Sequence, residues 1–183
     1  VDAGGVVRSV GLSDNAVGGA LDIVLTPDPQ RPAGSYRGEF LVEDIRIRNA
    51  PVMAALLDTI SVVGLIDQLS GQGIRFLTVD GRFRLTPDLL VLDESAAIGA
   101  SIGISAAGIY DFKERNIDMQ GVVSPFYFLN SVGALVSRRG EGLYGFNYRV
   151  NGPANAPTVG VNPLSVLTPG LLREIFRRPA PTN

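Results

Sequence analysis

The stretch "GIRFLTVDGRFRLTPDLLVLDESAA", residues 73–97, reads as a β-hairpin. Leu77, Val79, Phe83 and Leu85 take one face, and Arg75, Asp80, Arg82 and Arg84 take the other. Side chains alternate across a strand, so an apolar row facing a charged one marks a strand that packs on one side and meets water on the other. Thr86, Pro87 and Asp88 supply the turn, because proline fixes φ and its neighbours can bond to nearby backbone. The return strand runs on into "IGASIGISAAGIYDFKERNIDMQGVV", two more strands about a polar turn at Lys113–Asn116. Sequential strands joined by tight turns make an antiparallel meander.

The same period appears on either side. In "GGALDIVLTP", Leu21, Ile23 and Leu25 share a face opposite Asp22, Val24 and Thr26, and Pro27 with Pro29 ends the strand. In "YRGEFLVEDIRIRN", Leu41, Glu43, Ile45 and Ile47 oppose an apolar Phe40 and Val42, so both faces of that strand are partly covered. Tyr144, Phe146, Tyr148 and Val150 form the last long strand, Gly152 and Pro153 turn it, and Thr158–Val161 make a short return. Pro157 and Pro163 bracket that return, which blocks further pairing at an exposed sheet edge.

Three segments switch to helical spacing. Asn49 is expected to cap a helix with Pro51 in its first turn, along which Val52, Leu56, Ile60 and Val63 recur before a kink at Gly64. Ser124 and Pro125 introduce "FYFLNSVGALV", and Thr168 with Pro169 starts "GLLREIF", whose Arg177 and Arg178 suit the negative end of a helix dipole. The pattern predicts one α+β domain over residues 1–183, mostly β, with short helices docked on an antiparallel sheet.

Composition limits the chemistry. Charged residues are 19% against roughly 25% in an average soluble chain, and hydrophobic residues are 45%. A net charge of −2 with both signs scattered argues against a nucleic-acid partner. With no Cys and no His there is no thiol nucleophile, imidazole base, disulfide or ordinary zinc site, and no cofactor or metal is expected. The uncharged runs Ser95–Tyr110, Met119–Ser137 and Val150–Leu172 are broken by Gly, Pro, Asn and Gln, so none reads as a membrane-spanning helix. The opening "VDAGGVVRSV" lacks an initiator Met and a signal-peptide pattern, which reads as a piece of a longer polypeptide whose targeting segment lies upstream.

Ordered motifs in combination resemble a known family. "VEDIRIRNAPVMAALLDTISVVGLIDQLSGQGIRF", "GVVSPFYFLNSVGAL" and "GEGLYGFNYRVNGPANAPTVGVNPLSVLTPGLLREIF" are similar to the C-terminal region of AsmA-like proteins, most closely the YhdP-type members, from about Gly34 onward. The first 30 residues read as preceding strands of the same sheet. The resemblance implies a Gram-negative envelope protein anchored in the inner membrane, with a periplasmic antiparallel sheet curled into a groove and helices packed at its end. Such a groove resembles those of bridge-like lipid transfer proteins and would carry phospholipid between the inner and outer membranes without enzymatic chemistry. The residues expected to meet acyl chains are Leu21, Ile23, Leu25, Ile102, Ile104, Tyr144, Phe146 and Tyr148. Membrane contact would come through the full-length protein, with an outer-membrane or other envelope protein as partner.

Other readings stand beside this one. The apolar strand faces could be ordinary core under the helices, and core and lipid lining can share a strand. The helix after Asn49 could be a docked cap or a mobile, membrane-touching element. The chain could instead be a structural or assembly module that helps insert outer-membrane proteins by lending a free β-edge, as the related TamB branch is thought to do. The carboxylates invite an enzyme or calcium reading. Asp93 and Glu94 are expected on opposite faces of a strand, however, and Asp111, Glu114 and Asp118 in "DFKERNID" at a solvated hairpin tip.

Overall fold

The computed structural model describes residues 1–9, 14–125 and 145–167. Eight strands form one antiparallel sheet in sequence order: β1 Ala16–Pro27, β2 Tyr36–Ile47, β3 Ile74–Leu85, β4 Leu89–Gly99, β5 Ile102–Asp111, β6 Asn116–Pro125, β7 Phe146–Pro153 and β8 Thr158–Asn162. The sheet is curled and unclosed. The fold is α+β and mostly β, with a meander at every step.

The turns follow their chemistry. At the β3–β4 turn the Thr86 N–H donates to the Leu89 carbonyl at 2.8 Å, and the Leu89 N–H donates to the Thr86 hydroxyl at 3.0 Å. At the β5–β6 tip the Asp111 carboxylate accepts from the Lys113 and Glu114 N–H groups at 2.8 and 2.9 Å. The β1–β2 turn is pinned by Asp28, which is buried yet accepts a two-pronged bond from Arg37 at 3.0 and 3.2 Å.

Three helices join the sheet. α1 Ala3–Ser9 packs on the start of β1, which corrects the expectation that the first residues are all strand; only Val1 and Asp2 extend alongside β1. The helix after Asn49 is two helices, α2 Pro51–Thr59 and α3 Val63–Ser70. The break falls at Ser61, whose φ of 59° no helix tolerates, and Gly64 lies inside α3. Ala50, not Asn49, is the N-cap, without a side-chain bond; Asn49 sits at φ 49° and its carbonyl accepts from the Asn15 side chain. Pro51 does open α2, where its missing N–H costs nothing. Ser124 and Pro125 end β6 instead of starting a helix, and the two later helices expected from the sequence lie outside the described residues.

α2 reveals the curl. It follows β2, yet it touches β8, six strands away. On a flat sheet that distance is about 29 Å, while nine helical residues span about 13 Å, so the sheet must wrap around the helix pair. Leu56 and Leu57 of α2 with Leu65 and Leu69 of α3 join Ile45, Ile74, Phe76, Ile102, Val123 and Val150 in one core on the inner face. A slip in β2 and β3 makes this possible. At Asp44, φ 57°, the alternation breaks, so Ile45 and Phe76 are buried while Leu77 is exposed and Arg75 pairs outward with Asp44 at 2.5 Å.

Candidate functional site: the inner face of the sheet

Cross-strand register shows which residues share the inner face. One row runs Leu21, Val42, Val79, Ala97, Ile104, Val123, Phe146. A second runs Ile23, Phe40, Gly81, Ser95, Ala106, Gly121, Tyr148, Val161, and a third Leu25, Gly38, Phe83, Leu92, Gly108, Met119, Val150, Val159. None of these residues carries a charge. Seven of the eight residues expected to meet lipid therefore lie on one face, and Tyr144 lies outside the described residues.

That face has two environments. Where the helices cover it, Ile102 and Val123 are 0% exposed. Tyr148 is also buried and donates its hydroxyl to the Ser105 carbonyl at 2.9 Å. Leu21, Ile104 and Phe146 are half-buried against that core, whereas Ile23 and Leu25 on the edge strand are each 49% exposed. Ile102 and Tyr148 are thus core residues in this structure, while Ile23 and Leu25 face open space.

Sequence reading missed the middle of the face. Phe40 and Phe83 stack as tilted rings with centroids 6.2 Å apart, each over the glycine of the neighbouring strand. A Cβ on Gly81 would meet the Phe40 ring and the Glu94 carbonyl at 2.8 Å, and one on Gly38 would enter the Phe83 ring. The signal was present as paired Phe and Gly two residues apart, "GEF" in β2 and "GRF" in β3, but its meaning depends on the register that sets Phe40 against Gly81.

The charges belong to the outer face. Arg82 bonds Glu94 at 2.6 Å, Arg84 bonds Asp93 at 2.6 Å and Arg149 bonds Asp118 at 2.7 Å. A register shift in β4 places Asp93 and Glu94 both beside arginines of one β3 face, which corrects their expected separation. The "DFKERNID" carboxylates do not converge, since Asp111 holds the turn and Asp118 is committed to Arg149. Lys113 reaches Asp88 at 2.9 Å, and that contact holds its ammonium above the usual lysine range. The Arg75 guanidinium likewise holds the Asp44 carboxyl below its ordinary value.

No helix among the described residues is long and apolar enough to cross a membrane. No protein-family model matches the chain, and no curated protein or solved structure matches it either.

Proposed function

We propose that the inner face is a passive groove for phospholipid acyl chains. The supporting observation is its uncharged lining, which continues across all eight strands and is exposed at Ile23 and Leu25 of β1. Acyl chains ask for no hydrogen bonds, and each methylene sheltered from water is worth about 0.8 kcal/mol. A charged headgroup finds no counter-ion among the inner-face residues of these rows, so it stays at the rim. The reading involves no catalytic step. The resemblance to AsmA-like envelope proteins supplies its setting: a periplasmic section of an inner-membrane-anchored protein, with lipid passing toward or from the outer membrane.

Native mass spectrometry of the gently purified protein, with lipid extraction from the same sample, tests this. Phospholipid at a defined stoichiometry, reduced in a folded Ile23→Asp/Leu25→Asp variant, is the expected result. Protein that stays lipid-free and takes up no added phospholipid overturns it.

A second reading, strand lending to an outer-membrane protein client, draws on a different observation. Beyond Leu21 the outer edge of β1 has no pairing strand among the described residues.

A further inference from the structure

On the outer face Arg75, Arg82, Arg84 and Arg149 each hold a carboxylate. Arg46 and Arg48 do not. Arg46 stands opposite Arg75 in the β2–β3 ladder, so its cross-strand neighbour carries the same charge. Among the described residues neither Arg46 nor Arg48 has an ion-pair partner, and Arg48 is exposed while Arg46 is half-buried.

Both reach the same neutral atom instead. The Gln72 carbonyl, in the turn between α3 and β3, accepts from Arg46 Nη1 at 3.2 Å and from Arg48 Nε at 3.0 Å. Gly73 shapes this meeting. Its φ of 88° favours glycine, and a Cβ there would lie 2.5 Å from Arg48 Cγ and 2.9 Å from Arg46 Cγ. The missing side chain lets both arginine stems lie across Gly73, with their heads brought together at one oxygen. The backbone N–H of Arg48 donates to the Asn15 carbonyl at 2.9 Å, which holds the chain in place just past the end of β2.

Each guanidinium spends one donor on the carbonyl and keeps a complete two-donor edge: Nε with Nη2 on Arg46, and Nη1 with Nη2 on Arg48. Two such cations side by side repel each other until an anion stands between them. Arg75 beside Arg46 is neutralised by Asp44, which leaves the charge of the pair uncompensated. A carboxylate has its two oxygens in one plane and fills one edge. A phosphate group has oxygens in more than one plane and bridges both.

We propose that Arg46 and Arg48 form a site for a phosphate-type oxyanion on the outer face, at the turn between α3 and β3. A soluble phosphate ester and a lipid headgroup carry the same group, and the test separates them. The inference is independent of the acyl-chain groove, which lies on the other face of the sheet.

The test is a titration of the whole chain with inorganic phosphate at constant ionic strength, read at the arginine Nε–Hε resonances. The Arg46 and Arg48 signals are expected to move together and saturate with one Kd in about the millimolar range. Arg82 and Arg84, already held by carboxylates, stay still. Arg46→Gln weakens the saturation seen at Arg48 about tenfold, and Arg48→Gln does the same at Arg46. Unsaturated drift of all arginine signals alike is charge screening and overturns the site, as does a Kd unchanged in both variants. If the pair only braces the turn, phosphate leaves the unfolding midpoint of the wild-type chain unchanged, and that result also overturns the site. Flotation with phosphatidylcholine vesicles, with and without phosphatidylglycerol, then identifies the source. Binding to the anionic vesicles that is lost in Arg46→Gln/Arg48→Gln supports the site with a lipid headgroup as its anion, and phosphate saturation without vesicle binding supports it with a soluble ester.

Discussion

At the helix end of the inner face Ile74, Ile102 and Val123 are fully buried, whereas at the far end Ile23 and Leu25 keep 49% of their surface. The residue types are the same, but the first three lie on β3, β5 and β6 and the last two on the edge strand β1. The difference lies in what stands on top of them and beside them. α2 and α3 bring Leu56, Leu57, Leu65 and Leu69 onto one end, and none of the described helices reaches the other. The same alternating pattern therefore makes a sealed core and an open apolar surface within one sheet. Apolar burial supplies stability at the first end, and its absence leaves apolar surface exposed at the second.

The comparison breaks most visibly under a buried charge. Ile102→Asp is expected to abolish cooperative folding, because an unpaired carboxylate at that site costs several kcal/mol; Leu57→Ala is expected to cost about 2–5 kcal/mol in denaturant unfolding. Leu25→Asp, by contrast, leaves the circular dichroism spectrum and the unfolding midpoint nearly unchanged. If Leu25→Asp unfolds the protein as Ile102→Asp does, the two ends do not differ.

Between the ends lies the Phe40–Phe83 pair. Gly81→Ala drives a methyl into the Phe40 ring and the Glu94 carbonyl, and is expected to destabilise by about 1–3 kcal/mol. Equal stability of the variant would mean that the rings do not sit on the glycines. Smaller again is Tyr148→Phe, which deletes the buried bond to the Ser105 carbonyl and is expected to cost about 0.5–1.5 kcal/mol.

The smallest effect is one of pH. Hydrogen bonding from Arg37 holds the Asp28 carboxyl below its ordinary 3.8. A depressed carboxylate stabilises the fold in full above the unfolded value, and the contribution is lost as pH falls below 3.8 through the folded one. Acid titration of the unfolding midpoint should therefore show a decline below that value which Asp28→Asn lessens. An unchanged acid limb in Asp28→Asn would remove the β1–β2 turn from the account.

Much of this was legible before the fold. Period-two alternation placed the strands from "GGALDIVLTP" to "TVGVN", the Thr86–Asp88 and Lys113–Asn116 turns were read from their residue types, and the β8 prolines marked an edge. Misreadings arose where backbone conformation departed from the local rule. Ser61 at φ 59° split a helix that spacing joined, Asp44 at φ 57° brought Ile45 and Phe76 inward, and a β4 irregularity put Asp93 and Glu94 on one side. The opening residues, read as strand, became α1 beyond Asp2.

The sequence by itself determined that one face of each strand would be apolar, that the chain would run as a meander, and that histidine and cysteine chemistry was absent. These are local or compositional properties, fixed by side-chain alternation, turn residues and residue inventory. Only the tertiary structure decided that Ile102 is core while Ile23 and Leu25 are open, and that Phe40 lies over Gly81. Those outcomes depend on cross-strand register and on where two short helices dock, which are contacts between residues far apart in the chain and so leave no local pattern to read.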